Sequence, residues 1–85
     1  MPDEVSYYAI VGAGRSARAP SGMARRRYTE DGPMDEALRR DFTWEPDAAI
    51  VEWEYGQVGA DLVEISPAQA DQLIARFRVR WDTGA

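Results

Sequence analysis

MARRRYTEDGPMDEALRRDFTW, residues 23–44, is the stretch on which the fold turns. Met23 to Glu30 alternates as a strand does. Ala24, Arg26, Tyr28 and Glu30 share one face, and Met23, Arg25, Arg27 and Thr29 the other. Glu30-Asp31-Gly32-Pro33 is a strong turn signal, since glycine reaches positive φ without cost and proline pre-sets its own φ. Beyond the turn the pattern has two readings. Met34, Leu38 and Phe42 keep helical spacing, with Asp35 placed to cap. Leu38, Phe42 and Trp44 also keep strand parity, with Arg40 between them. A strand across 35–44, pairing back through the Asp31-Gly32 turn, is the favoured reading, and it makes this hairpin the nucleus of a sheet.

Upstream, Val5 to Val11 is rich in β-branched and aromatic residues and stops at Gly12. Its apolar residues fall on both faces, as an interior strand requires. Residues 12–22, with three glycines, two serines and Pro20, read as a loop. Downstream, Trp44-Glu45-Pro46 ends the element. Residues 47–55 again have two readings. Ile50, Val51, Trp53 and Tyr55 favour a strand, but Pro46 suits the first turn of a helix and Gly56 its end. A short helix is the preferred reading. Leu62 to Ile65 reads as a strand.

The C-terminal segment is a helix by several independent signs. Ser66 is an N-cap, Pro67 takes the first helical position, and Gln69 completes a capping box. Ala70, Leu73, Ile74, Phe77 and Trp81 form a continuous apolar stripe. Asp71 lies towards the positive end of the helix dipole, and Arg76, Arg78 and Arg80 towards the negative end. Gly84 is a plausible stop. The expected order is therefore β-β-β-α-β-α. This is an α+β fold across residues 1–85 as one domain: a small, mostly antiparallel sheet with the amphipathic C-terminal helix packed on one face.

Composition excludes more function than it suggests. The chain has no histidine, cysteine, lysine or asparagine, and all ten of its cations are arginine. The usual nucleophiles, general bases and transition-metal ligands are thus absent. A carboxylate would have to activate any Tyr or Ser, which is uncommon. No catalytic residue, metal site or cofactor is expected. No apolar run is long enough to span a bilayer, and Pro2-Asp3-Glu4 is unlike a signal peptide. With no cysteine, the default compartment is the cytoplasm. A chain of 85 residues buries only roughly 60–65% of its unfolded surface, so its core must be well made or shared.

The net charge of −5 conceals a polarity along the chain. Residues 5–29 carry five arginines and no acid, whereas residues 30–85 carry 13 acids and five arginines. Two local features invite an anion. Gly12-Ala13-Gly14-Arg15-Ser16-Ala17 matches the dinucleotide fingerprint, and Glu30 and Asp31 fall near where a ribose-binding acid would sit. Pro20-Ser21-Gly22 cuts the helix that should follow, however, and the chain is too short for repeated βαβ units. A plain loop is the simpler reading. Arg25-Arg26-Arg27 is the second feature. Arg25 and Arg27 share a face, and with Arg15 and Arg18 they form the candidate set for binding a partner or a phosphate. The competing reading pairs these arginines with Asp35, Glu36 and Asp41 of the neighbouring strand. Glu45/Asp47 and Glu52/Glu54 have no diagnostic metal or glycosidase spacing. Trp81 belongs to the helix stripe, and Trp53 is a candidate for an interface.

Several pieces taken together resemble a group of small actinobacterial proteins. They are Tyr7-Tyr8-Ala9, Pro20-Ser21-Gly22 leading into Arg25-Arg26, Asp35-Glu36, Trp44-Glu45-Pro46, and Leu62-Val63-Glu64-Ile65-Ser66 with Ala70 beyond. The resemblance covers most of the chain and implies a strand across 36–44 and a helix at 47–55. It carries no activity, cofactor or catalytic residue. The expectation is a non-enzymatic interaction or regulatory module that meets a protein partner or a second copy. The alternative is an anion binder, of nucleic acid or a nucleotide phosphate, through the arginines of 15–27. The acidic pI of 4.6 disfavours nucleic acid.

Overall fold

The structure is a computed structural model that describes residues 4–12, 20–56 and 61–82. Its centre is the hairpin on which the sequence turns. β1 (Glu4–Val11), β2 (Gly22–Thr29) and β3 (Gly32–Leu38) are followed by β4 (Trp44–Pro46), α1 (Ala49–Glu54), β5 (Asp61–Ile65) and α2 (Pro67–Asp82). The five strands form one sheet in the order β4-β3-β2-β1-β5, and every neighbouring pair is antiparallel. The fold is α+β, with α2 packed against the sheet as expected.

The β2–β3 turn forms at the predicted place. Gly32 has φ 109°, a conformation that favours glycine. Thr29 closes the turn: its Oγ1 donates to the Gly32 carbonyl at 2.8 Å and accepts from the Asp31 N–H at 3.2 Å. The register then sets Arg26 opposite Asp35 and Arg25 opposite Glu36.

The expected strand across 35–44 is corrected. It stops at Leu38 and resumes as β4 at Trp44, which pairs back on Leu38. Between them the chain reverses. The Phe42 N–H donates to the Arg39 carbonyl and the Arg39 N–H to the Thr43 carbonyl, both at 2.9 Å. Asp41 Oδ1 accepts from the Thr43 N–H and hydroxyl. Phe42 sits at φ 65°, which costs a non-glycine residue about 1–2 kcal/mol. Tertiary packing offsets that strain. The Phe42 ring lies 5.3 Å from that of Trp81, and the Arg78 guanidinium stands 4.3 Å over it. No glycine marks this turn, so the sequence pattern runs straight through it.

The short helix at 47–55 forms as α1, but Pro46 ends β4 instead of opening the helix. Asp47 leads into the helix by accepting from the Ala49 N–H at 2.8 Å. Gly56 follows at φ 70°. At α2 the capping box is reciprocal: the Gln69 N–H donates to Ser66 Oγ, and the Ser66 N–H to Gln69 Oε1. The predicted stop at Gly84 lies outside the described residues.

The two helices cover opposite faces of the sheet. Ala70, Leu73 and Phe77 of α2 pack with Ala9, Met23 and Leu38, flanked by Tyr7, Trp44, Ile65, Ile74 and Trp81. Ile50 of α1 packs on the other face with Ala24 and Leu62, flanked by Tyr8, Ile10 and Trp53. β1 therefore needs apolar residues on both faces, as its sequence shows. Phe77 is 1% exposed and stacks on Trp81 at 4.6 Å. Phe77→Ala should cost about 3–5 kcal/mol, a large share of the roughly 5–15 kcal/mol typical of a whole domain. Tyr55, which is 76% exposed, should change stability by less than about 0.5 kcal/mol when replaced by alanine. Urea unfolding followed by tryptophan fluorescence measures both.

Candidate functional site

Three arginines in a row on β2 must leave the sheet on alternate sides, and each side supplies acid. On the α2 side, Arg25 Nε meets Glu36 Oε1 at 2.8 Å, and Arg27 Nε meets the same oxygen at 3.0 Å. Arg27 Nη2 also reaches Glu36 Oε2 at 3.4 Å. The Arg25 guanidinium lies 4.3 Å over the Trp44 ring, whose partner Tyr7 is 6.2 Å away. Glu36 is only 8% exposed. Burial pushes its carboxyl up, but the hydrogen bonds from Arg27 and Arg25 outweigh this and hold it below its ordinary value.

On the α1 side, Arg26 makes two bidentate contacts. Nε and Nη2 meet the Asp35 carboxylate at 2.7 and 2.9 Å. Nη1 and Nη2 meet the Glu54 carboxylate at 3.1 and 2.8 Å. Asp35 is the cross-strand partner, and Glu54 is the last residue of α1, so one side chain ties the short helix to the sheet. These hydrogen bonds, Asp35 first, raise the Arg26 pKa further, and the contact from Arg26 lowers that of Glu54.

Of the four arginines singled out by sequence, Arg15 and Arg18 lie outside the described residues, as does most of the Gly12–Ala17 fingerprint. Arg25 and Arg27 are together on one face, as parity requires, and both engage Glu36. Arg26, left out of that set for pointing the other way, is the one that organises a second element. The acid pairs do not converge. Glu45 meets Arg39 at 3.5 Å in an exposed pair, Asp47 accepts from the Ala49 N–H, and Glu54 serves Arg26. Among the described residues no group of three carboxylates is placed to hold a metal, and no buried side-chain nitrogen or oxygen lacks a hydrogen-bond partner.

What sequence reading missed is the open part of the α1 face. Helix α1 has six residues and covers only the rows around Ala24 and Leu62. Tyr8 lies in the Ala24 row with Glu64 on its other side, and past it Ser6 lies opposite Arg26 and Tyr28 opposite Glu4. Tyr28 is 44% exposed. The Tyr8 ring is tilted against that of Trp53 at 6.3 Å. Burial, then the charge of Glu64, pushes the Tyr8 phenol up, so at neutral pH it is a hydroxyl and not a base. A cavity of about 190 Å³ lies on the other side, lined by Pro20, Leu73, Arg76, Phe77 and Arg80. There Arg80 Nη2 donates to the Pro20 carbonyl at 3.0 Å.

Comparison with protein-family models, with curated proteins and with solved structures returned no match for this chain.

Glu36 and Glu54 are both depressed, so the stability they add is complete above the ordinary value of 4.5 and is lost as pH falls through their lower folded values. Glu36→Gln should flatten the acid limb of the stability–pH curve below about pH 4.5, which urea midpoints across pH would read. At neutral pH, Glu36→Ala leaves two guanidinium groups facing each other and should cost about 2–3 kcal/mol.

Proposed function

We propose that this chain is a non-enzymatic interaction or regulatory module that meets a protein partner through the open part of the α1 face. The observation that carries this reading is the exposed Tyr28, which lies opposite Glu4 on the part of the sheet surface past α1. Tyrosine offers a large, rigid contact area with a hydrogen-bonding tip, which is why it is favoured in interface hot spots. Chemistry in the chain supports the same reading. Cysteine, histidine and lysine are absent, and the Tyr8 phenol stays protonated. The anion-binding alternative loses ground to geometry, because Arg25 and Arg27 share Glu36 within the protein. It would rest chiefly on Arg15 and Arg18.

A photo-crosslinking residue placed at Tyr28 tests this in cells that carry the native partners. A discrete adduct is expected from position 28, competed away by unlabelled protein, and none from exposed Gln72 on α2. Equal labelling from both positions, or turnover of substrates in a broad hydrolase and transferase screen, would sink the proposal.

A further inference from the structure

The charge polarity seen along the chain is re-sorted by the fold into a polarity across the sheet. On the α1 side, the described strands present Glu4, Asp35, Glu45 and Glu64 against a single cation, Arg26. Helix α1 adds Glu52 and Glu54 and no cation. Arg26 is already held bidentately by Asp35 and Glu54. No ion pair among the described residues reaches Glu4 or Glu64. Glu45 is paired with Arg39, so the acids of these strands left without an ion pair among the described residues are Glu4 and Glu64, at the two ends of the run from Glu4 to Tyr8.

From this we infer that the surface of Glu4, Ser6, Tyr8, Tyr28, Glu54 and Glu64 receives an extended, arginine- or lysine-bearing segment of a partner protein. The inference rests on the interaction reading above and adds the chemistry of the partner. A guanidinium or ammonium group over the Tyr28 ring gains cation–π attraction, with Glu4 opposite it as a charge-assisted acceptor, and Glu64, opposite Tyr8 four residues further along β1, accepts a second cation of the same segment. The run from Glu4 to Tyr8 spans about 13 Å at roughly 3.3 Å per residue, which matches several residues of extended chain and exceeds a single small cation. A second copy meeting this face isologously would set the acidic faces against each other, and like charges across an interface are strongly disfavoured.

The test is a titration of the ¹⁵N-labelled full chain with hexa-arginine and hexa-lysine, with hexa-glutamate as control, near physiological salt. Amide shifts should concentrate in residues 4–8, 26–28 and 62–64. Tyr28→Ser combined with Glu64→Gln should weaken binding about five- to tenfold, with its fold checked by thermal melting. Asp71→Asn, which removes one negative charge on α2, should leave the affinity as it was. Shifts spread over the whole surface, or equal weakening in both variants, would mean attraction by net charge alone and would overturn the assignment. Concentration-dependent self-association abolished by the double variant would make a second copy the occupant and likewise overturn it. A partner crosslinked from position 28 through a segment without Arg or Lys would overturn the cationic-segment assignment and leave the interaction reading standing.

Discussion

Consecutive residues of a strand point to opposite faces, so Arg25, Arg26 and Arg27 cannot act as one patch. Each face of the sheet has to neutralise its own share, and β3 does this with adjacent acids of opposite direction. Asp35 faces Arg26, while Glu36 sits between Arg25 and Arg27. A slip of one residue in β2 against β3 would turn Met23 and Ala24 to the wrong cores and separate every arginine from its carboxylate. Hydrophobic pattern and charge pattern thus demand the same register. Glu54 extends the pattern to a third element, since α1 is too short to hold its place by helix propensity alone.

That arrangement also bears on function. Arginines read in isolation invite an anion, yet their donors here are turned inward to carboxylates. The side they neutralise least is the acidic one, where Glu4 lies opposite exposed Tyr28 and Glu64 opposite half-buried Tyr8. An acidic chain with a basic segment at residues 5–29 becomes a sheet whose α1 side is acidic, while Arg76, Arg78 and Arg80 lie with α2 on the other. The proposed partner chemistry follows from this sorting, not from the run of arginines.

Much of the fold was legible because its signals are local. The alternation of β2, the Asp31-Gly32 turn, the two-faced apolar content of β1 and the capping box of α2 each depend on residues within a few positions of one another. The reversal at Arg39–Thr43 was hidden because its cause is distant: Phe42 tolerates positive φ where Trp81 and Arg78, some 40 residues away in sequence, enclose its ring. The site was less legible for a related reason. Parity showed that Arg25 and Arg27 share a face, but not that one carboxylate would take both. It also set Tyr28 beside Arg26 without showing that α1 stops short of it.

Sequence by itself determined the element types over most of the chain, the hairpin that starts the sheet, and the absence of ordinary Cys, His or Lys chemistry. These follow from backbone preference, side-chain period and composition, which need no knowledge of the rest of the molecule. Only the tertiary structure decided which helix covers which face, how much of the sheet stays open, and which acid each arginine meets. Those outcomes depend on strand order and on where α1 ends, and they exist only once Glu54 has been brought back against Arg26 across 28 residues of chain.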